Sequence, residues 1–462
     1  MTANRSRPNW RWLRPGVGVK RWLLLIFAGL LLLALAGAQL LREIYRDLPP
    51  GGPTASLLDV LSLQFLDPWL RVVILAVAGA ALFLVGGWGL MRVVLEPFRV
   101  SDEPLSELIY RRRWRARGPR VVAIGGGRGL SVLLRGLKEH TSNITAVVTV
   151  ADDGGSSGKL RRERGIPPMG DIRDCIAALA DAEPTMTELL LYRFGGNGGG
   201  KGQGGPADLG SAASGATGHD ADGLSGHAFG NLLITAMTDL SNGDFEEGVR
   251  RSNRVLAVRG KVVPAAPIAL TLHARYLDGT ELVGQQGITR RGGIDRIWLS
   301  PPDVTPSTEA LEAIAEADLI VFGPGSLYTS IMAGLLIPEL RWALADAAAL
   351  RVYICNVATQ VGETEHYMLS DHLSALRRHD MLGLIDAVLA NDNLAARAPR
   401  GYPAEPVRAD IRPDDPDWPP LVLRDLVDEV KAHHHDPHKL AAEVMALLVS
   451  SEPARRPVTA RS

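Results

Sequence analysis

Cysteine is scarce in this 462-residue chain, which contains only Cys175 and Cys355. Both lie in apolar runs without the spacing of metal ligands, so we interpret them as reduced core residues of a cytosolic domain. An excess of charge of one sign is also lacking, because 50 Lys and Arg side chains face 51 Asp and Glu side chains, for a net charge of -1. This balance gives no overall attraction to nucleic acid, which we do not expect as a partner.

Two nucleotide-binding signatures are missing. The chain contains no G-x-x-x-x-G-K-[ST] segment, the phosphate-binding loop of many nucleoside triphosphatases. The turn Gly125–Gly129 departs from the G-x-G-x-x-G fingerprint, because Leu130 stands where the third glycine belongs. Since no clear hydride-transfer residues accompany this turn, the sequence argues against a nicotinamide-dependent dehydrogenase.

Charge is absent from two 20-residue segments near the N-terminus, Trp22–Leu41 and Val72–Met91. At about 1.5 Å per residue, each is long enough to cross a hydrocarbon layer of about 30 Å. Basic residues flank the pair on both sides, whereas the connecting loop 42–70 is richer in acids, which places both flanks in the cytoplasm. The sequence therefore predicts a two-span membrane hairpin, with a cleaved signal peptide or buried soluble helices as the alternatives.

The rest of the chain is predicted to form one large cytoplasmic domain. We expect a basic cytoplasmic N-terminus at 1–21, the transmembrane hairpin within 22–95, a basic juxtamembrane linker at 96–119, the domain at 120–446 and a flexible tail at 447–462. Residues 195–223 are nearly all Gly, Ala, Ser and Asp, with almost nothing to bury, and predict a disordered insertion. The lipid bilayer is thus an expected partner, and the expected location is the cell membrane.

A β-α-β unit opens the domain. The pattern predicts a buried strand at Val121–Ile124, a helix at Leu130–His140 and a second strand at Ile144–Val150. Glycines between strand and helix allow a sharp turn and leave N–H groups free for a phosphate at the positive end of the helix. The candidate residues of this turn and of the acidic loop after the second strand are Gly125, Gly126, Gly127, Gly129, Asp152 and Asp153. Glycines that serve only a tight turn, with acids that cap a loop, are the alternative.

A second strand-glycine-helix junction follows the predicted strand Leu319–Phe322, with Gly323, Gly325 and Ser326 in the turn. In an open parallel sheet the ligand lies outside the carboxyl ends of the strands, where adjacent connections leave in opposite directions. The two glycine turns are therefore predicted to flank one crevice, with helix capping alone as the alternative.

Further polar residues are candidates for the same edge. If the helix begins early, His227 and Asn231 share one helical face and could both point into the site. The alternatives are that Asp171 is only the N-cap of the following helix and that His227 is a structural histidine. The complete set of these additional candidates is Ser156, Ser157, Asp171, His227, Asn231, Asn356 and His434.

The pattern also predicts other elements. Ala269–Tyr276 and Thr280–Gln285 alternate around Asp278-Gly279, which is typical of an antiparallel β-hairpin. The remaining predictions are a helix at Leu311–Ala317 capped by Ser307 or Thr308, a strand at Val352–Cys355, and a last helix that begins with Asp436 and Pro437.

Seven motifs occur in an order that resembles the gluconeogenesis factor family, relatives of 2-phospho-L-lactate transferase. They lie at Gly125–Leu130, Ala151–Gly158, Gly170–Arg173, Ser225–Asn231, Val258–Pro264, Gly323–Ser330 and Cys355–Thr364. The resemblance covers about 120–446, whereas the membrane hairpin and the glycine-rich insertion fall outside the usual pattern. Relatives tend to carry arginine at the position of His434. The phosphate contact that the resemblance implies for this arginine is therefore less expected for His434.

The resemblance implies a regulator that binds a nucleotide sugar such as UDP-N-acetylglucosamine and is required for cell shape and envelope synthesis under gluconeogenic growth, without an established reaction. It implies that the two glycine turns hold the diphosphate and that Asp152 or Asp153 binds hydroxyl groups. Asn231 and Asn356 would orient the ligand. An envelope-synthesis protein is the implied protein partner.

An enzyme is the alternative reading: a phosphoester transferase of the 2-phospho-L-lactate transferase type, in which Asp152 and Asp153 hold Mg²⁺ against a diphosphate. The sequence leaves open the nucleotide and sugar, the reaction, the protein partner and whether the chain forms a homo-oligomer. The expected fold is α/β, a Rossmann-like and mostly parallel sheet with an antiparallel hairpin excursion, preceded by the two-helix transmembrane hairpin.

Overall fold

The computed structural model describes residues 115–181, 183–195, 223–395 and 403–455, and isolated positions before residue 115. The chain divides into two units, Met1–Arg113 and Trp114–Ser462, and all elements below belong to the second. Apart from those isolated positions, the predicted hairpin and most of the linker lie outside the described residues, as do 196–222 of the predicted insertion and 456–462 of the predicted tail. Among the described residues, no helix combines the length and apolar composition needed to cross a membrane. The membrane hairpin stays a prediction.

The described residues form ten strands in two sheets. They are β1 (Val121–Gly125), β2 (Ile144–Val148), β3 (Lys261–Pro264), β4 (Thr271–Tyr276), β5 (Glu281–Val283), β6 (Ile294–Ser300), β7 (Leu319–Phe322), β8 (Leu350–Ile354), β9 (Ala387–Asn391) and β10 (Leu421–Arg424). Seven strands pair in parallel in the order β10-β9-β8-β7-β1-β2-β3, and the other three form an antiparallel sheet in the order β5-β4-β6. The predicted α/β fold with a mostly parallel sheet is confirmed.

The helices connect and cover the parallel strands. They are α1 (Gly127–His140), α2 (Gly155–Arg164), α3 (Gly170–Leu179), α4 (Glu183–Leu191), α5 (Phe229–Asp239), α6 (Phe245–Val255), α7 (Gln285–Ile288), α8 (Thr308–Ala315), α9 (Pro338–Asp346), α10 (Leu369–Arg378) and α11 (Pro437–Arg455). A π-helical segment, Leu327–Met332, continues into the helical turn Ala333–Leu335, and a 3-10 turn spans Leu382–Leu384.

The first β-α-β unit forms the centre of the core. Every residue of β1 is buried, as expected for an apolar strand in the middle of a sheet that is covered on both faces. In α1, the leucines at the predicted helical spacing are fully buried: Leu130, Leu133, Leu134 and Leu137. The strand β1 pairs with β2 on one side and with β7 on the other. The chain leaves β1 toward β2 and leaves β7 toward β8, so these two connections run in opposite directions. The carboxyl ends of β1 and β7 therefore form the switch point at which such sheets bind ligands.

The antiparallel sheet contains the predicted hairpin and one strand more. The strands β4 and β5 pair across the turn at Asp278-Gly279, and β6 pairs with the other edge of β4. The strand β6 was not predicted, although its burial alternates between the two faces as in a half-buried strand.

The helices α1 and α8 each begin three residues before their predicted starts, and three further predictions at helix ends need correction. The N-cap of α3 is Met169, so Asp171 lies in the first helical turn and is not the cap. The helix α5 begins at Phe229, so His227 precedes it and does not share its face with Asn231. The helix α11 extends to Arg455, so residues 447–455 of the predicted flexible tail are helical, and Leu448 among them is buried in the core.

Candidate functional site

The two predicted glycine turns lie in contact at the switch point. A side-chain carbon placed on Gly129 would lie 2.6 Å from the carbonyl oxygen of Pro324 and 2.7 Å from the Cα of Gly325. Such a carbon on Gly125 would lie 3.8 Å from the Cα of Gly323. The close approach of the two backbones requires glycine at 129, and it brings both turns to the same edge of the sheet.

The loop after β8 holds the second glycine turn. The Asn356 side chain donates to the Gly325 carbonyl at 2.8 Å and accepts from the Gly325 N–H at 3.2 Å. The Ser326 hydroxyl donates to Gln360 Oε1 at 2.8 Å. The amide oxygen and nitrogen of Asn356 both bond to the turn, so Asn356 supports it, and the predicted contact of Asn356 with the ligand stays a prediction.

A buried carboxylate occupies the start of the π-helical segment. Glu363 is fully buried, accepts from Thr329 Oγ1 at 2.5 Å and accepts from the Tyr328 N–H at 3.3 Å. Burial raises the pKa of Glu363 to about 7, although these hydrogen bonds oppose the rise. Glu363 thus accepts hydrogen bonds from the first residues of the π-helical segment. The sequence placed Glu363 at this edge of the sheet, after the predicted strand Val352–Cys355, but did not indicate its hydrogen-bond partners.

A polar cavity of about 220 Å³ opens between the loop after β2 and the starts of α2 and α3. It collects five of the predicted site residues, namely Asp152, Ser156, Ser157, Asp171 and Asn231. The other lining residues are Gly154, Gly155, Gly170, Arg173, Asp174 and Arg193. The glycine turns do not line it themselves, but a side-chain carbon on Gly127 would lie 3.2 Å from Asp171 Oδ1, and one on Gly126 would overlap the same carboxylate. Asp171 therefore joins the cavity to the first glycine turn.

A hydrogen-bond network centred on Ser156 fixes one wall of the cavity. The Ser156 hydroxyl oxygen accepts from Asn231 Nδ2 at 3.0 Å and from the Ala228 N–H at 3.3 Å, and it lies 3.2 Å from His227 Nδ1. Arg173 donates to Asn231 Oδ1 at 3.2 Å. His227 and Asn231 thus reach the same site as predicted, but through Ser156 and not through a common helical face.

Three helices begin at this site without a side-chain cap. The first residues of α1, α2 and α3 receive no side-chain hydrogen bond from their N-cap residues Gly126, Gly154 and Met169. Residues 155–157 and 170–171 line the cavity, and Gly127 of α1 lies against Asp171. Uncapped helix starts present N–H donors and a partial positive charge, so the arrangement favours an anion.

The charged side chains of the cavity are nearly balanced. Arg173 forms an ion pair with Asp174 at 2.7 Å, and burial raises the pKa of Asp152. Burial, with the charges of Asp152 and Asp174, raises the pKa of Asp171 to about 8. Asp171 is therefore mostly neutral at pH 7 and can donate a hydrogen bond. Among the described residues, none donates a hydrogen bond to its carboxyl group, which leaves that group available to a ligand.

The second predicted acid, Asp153, faces away from the cavity. Its Oδ1 accepts from the Gln286 N–H at 2.9 Å, at the start of α7 beside the antiparallel sheet. The two predicted acids thus have different neighbours, and their joint binding of Mg²⁺ stays a prediction. Within the described ranges, no group of three or more His, Cys, Asp or Glu side chains is arranged to hold a metal.

His434 lies in the segment before α11. Burial lowers the pKa of His434 to about 4, and the positive charges of His433, Lys431 and Arg128 contribute. The ring is therefore neutral at pH 7 and does not replace the cation that relatives tend to carry at this position. Arg128 belongs to the first glycine turn, so its effect on the pKa of His434 indicates that His434 lies near that turn.

Two arginines of the cavity were missed as site residues. Arg173 stood in a family motif without an assigned role, and Arg193 follows α4 at the edge of the glycine-rich segment. Arg193 donates to the Gly226 carbonyl at 3.1 Å, which fixes it at the cavity edge. The sequence does not predict that Arg193 lines the same cavity as the acidic loop, since its position depends on how α4 and α5 pack.

The fold and the site define a Rossmann-like α/β domain of the CofD class. The family model described as 2-phospho-L-lactate transferase CofD matches residues 121–417. The gluconeogenesis factor of Bacillus subtilis is 44% identical over 340 residues, which are 71% of this chain and 98% of that protein. The gluconeogenesis factor of Halalkalibacterium halodurans is 46% identical over 272 residues, 59% of this chain and 77% of that protein. A crystal structure of a UPF0052 family member from Bacillus halodurans matches with a TM-score of 0.61 and 40% identity, covering 71% of this chain and 99% of that one.

The chain belongs to the gluconeogenesis factor family, within the wider CofD class.

Proposed function

We propose that the domain is a regulator that binds a nucleotide sugar of the UDP-N-acetylglucosamine type and is required for cell shape and envelope synthesis under gluconeogenic growth. One observation carries the proposal: the uncapped starts of α2 and α3 and two arginines line one polar cavity, and the uncapped start of α1 lies against its Asp171. Backbone N–H groups of this kind bind phosphates without a metal. Its relatives in Bacillus subtilis and Halalkalibacterium halodurans are named gluconeogenesis factor, which supports the physiological part.

The size of the cavity indicates which part of the ligand it takes. Its volume of about 220 Å³ is below the range of about 300–1,000 Å³ for sites that enclose a whole small molecule. We place the diphosphate in the cavity, where the neutral Asp171 and the helix starts supply donors. The nucleoside or the sugar then extends from the cavity across the adjoining glycine turns.

Calorimetric titration of the full-length chain with a panel of nucleotide sugars tests the proposal. We expect heat of binding from uridine diphosphate sugars, and a weaker affinity in Asp152→Ala because the lining carboxylate is lost. Unchanged affinity in that variant would remove Asp152 from the site. Nicotinamide dinucleotide serves as the control, and we expect it not to raise the melting temperature.

A second candidate function is phosphoester transfer with Mg²⁺, favoured by the CofD match and by Asp152 and Asp171 facing one cavity. Magnesium is usually bound through one or two carboxylates together with substrate phosphates and water, so this pair would suffice. Asp171 takes the place of the originally predicted Asp153. Consumption of a nucleotide-linked phosphoester by the purified chain with Mg²⁺, lost in Asp152→Asn, would establish the enzyme and displace the purely regulatory proposal.

We further propose that the predicted hairpin holds the domain at the cytoplasmic face of the cell membrane. The basic flanks of the two apolar segments support this orientation. A location beside the bilayer would favour an envelope-synthesis protein as partner, and crosslinking in cells would identify it. The same experiment would detect a homo-oligomer.

A further inference from the structure

One segment of the antiparallel region, Gly284–Gly293, contacts the loop that carries the cavity acids. We call this segment the strap. Its Gln286 N–H donates to Asp153 Oδ1 at 2.9 Å, and a side-chain carbon on Gly154 would lie 3.0 Å from Gln286 Nε2. A carbon on Gly284 would overlap Asp153 Oδ2. The strap is therefore packed directly on the acidic loop after β2.

The strap also contacts the loop after β8. A side-chain carbon on Gly362 would overlap the carbonyl oxygen of Thr289, and one on Gly292 would lie 2.7 Å from Glu365 Oε2. Gly362 and Glu365 belong to the same loop that holds the second glycine turn through Asn356 and Gln360. The strap thus connects the two loops that flank the switch point.

The order of strands shows where the strap lies. The strands β2 and β8 are separated in the sheet by β1 and β7, whose carboxyl ends carry the two glycine turns. A segment that contacts the loops after both outer strands joins the loops on either side of the two inner ones. The strap thus lies at the carboxyl end of the sheet, where the ligand is proposed to bind.

Arg161 provides a second connection between the antiparallel sheet and the acidic loop. It donates to the Leu270 carbonyl at 2.8 Å and to Thr271 Oγ1 at 2.7 Å, beside and within β4. The same guanidinium donates to the Asp152 carbonyl at 3.4 Å. With these three acceptors, Arg161 supports the backbone of Asp152.

We propose that Asp153 is a positioning residue: it fastens the strap to the acidic loop, holds Asp152 toward the cavity and does not contact the ligand. The inference rests on the proposed function, because it assumes that a ligand binds at the carboxyl end of the sheet. It explains why two adjacent acids have different surroundings. Asp152 lines the cavity, whereas Asp153 accepts from the strap.

Paired substitutions at Asp153 test the proposal in the full-length chain. In Asp153→Ala the Gln286 N–H loses its acceptor, and we expect the affinity for a uridine diphosphate sugar to fall about tenfold. Asp153→Asn keeps an oxygen for the same N–H and should restore affinity to within about twofold. Equal loss in both variants would show that the charge of Asp153 acts on the ligand or on a metal, and would overturn the proposal.

Hydrogen exchange of the strap gives a readout that needs no ligand. We expect the Gln286 N–H and its neighbours to exchange at least about fivefold faster in Asp153→Ala, but at the wild-type rate in Asp153→Asn. Asp295→Ala is the control, because Asp295 lies on β6 of the same sheet and pairs with Arg275. Unchanged exchange in Asp153→Ala would overturn the proposal. If no nucleotide sugar binds the wild type, the proposed function fails, and the exchange result still decides whether Asp153 fastens the strap.

Discussion

Asp171 lines the cavity, and its pKa is raised. Among the described residues, none donates a hydrogen bond to its carboxyl group. Its carboxyl titrates near 3.8 in the unfolded chain and at about 8 in the folded one. Folding therefore takes up a proton between these values, and the free energy of unfolding falls as the pH rises through this window. Above about pH 8 the carboxyl group is charged in both states and the loss is complete. A group that lowers stability in this way is typical of a binding or catalytic site.

The first prediction concerns Asp171→Asn. The amide has nearly the shape of the protonated carboxyl but cannot ionise, so it avoids the buried charge. We expect the free energy of unfolding to rise by about 1–3 kcal/mol at pH 8.5 and to change little at pH 4. Urea denaturation at the two pH values checks this. The same gain at both would mean that the effect does not arise from ionisation.

Sequence reasoning identified much of the site's chemistry but not the partners of each residue. Asp152, Ser156, Ser157, Asp171 and Asn231 were expected together and share the cavity. The partners of Asp153 and Asn356 lie 133 and 31 residues away along the chain, and no local pattern specifies them. These bonds depend on how the strap and the second glycine turn pack, which is why both residues were assigned to the ligand.

Among the elements, the π-helical segment depends on one buried side chain. In Glu363→Ala, the Thr329 hydroxyl and the Tyr328 N–H would lose their acceptor inside the core. We expect a loss of about 2–4 kcal/mol in the free energy of unfolding, measured by urea denaturation. Glu339→Ala is the control, since Glu339 is an exposed glutamate at the start of α9, and its effect should stay below about 1 kcal/mol.

A second element-scale prediction concerns the packing of α11 on α1. A methyl group at Gly136 would overlap the Pro437 carbonyl and come within 2.6 Å of the Ala441 side chain. Gly136→Ala should therefore lower the free energy of unfolding by about 2–4 kcal/mol. Gly383→Ala is the matched control, because no atom lies within 4 Å of its added carbon. Equal melting temperatures for the two variants would contradict the packing described here.

Elements with a strong local pattern were predictable. The strand Leu319–Phe322 has the predicted bounds, and Asp436 accepts from His438 and Lys439 N–H groups at 2.8 Å at the start of α11. Ser307 occupies the predicted N-cap position of α8, yet its buried hydroxyl has no partner among the described residues. The position of a cap follows from local sequence, whereas its hydrogen bond depends on the side-chain rotamer that packing permits.

At the scale of the whole molecule, the membrane hairpin can be tested by topology. We expect alkaline phosphatase fused within the loop 42–70 to be active, because that loop should lie outside the cytoplasm. A fusion after residue 118 should be inactive in the same cells. The opposite activities would reverse the predicted orientation, and inactivity at both positions would contradict a hairpin.

The pairing of β1 with β7 joins parts of the chain that are far apart, as the bond from the Arg120 N–H to Asp318 across 198 residues shows. A ribosome must therefore synthesise most of the domain before the central strand gains its second neighbour. Until then the nascent polypeptide exposes an open β-edge that other chains could join. We therefore expect the time needed to translate the segment between these strands to set how long this edge stays open during synthesis.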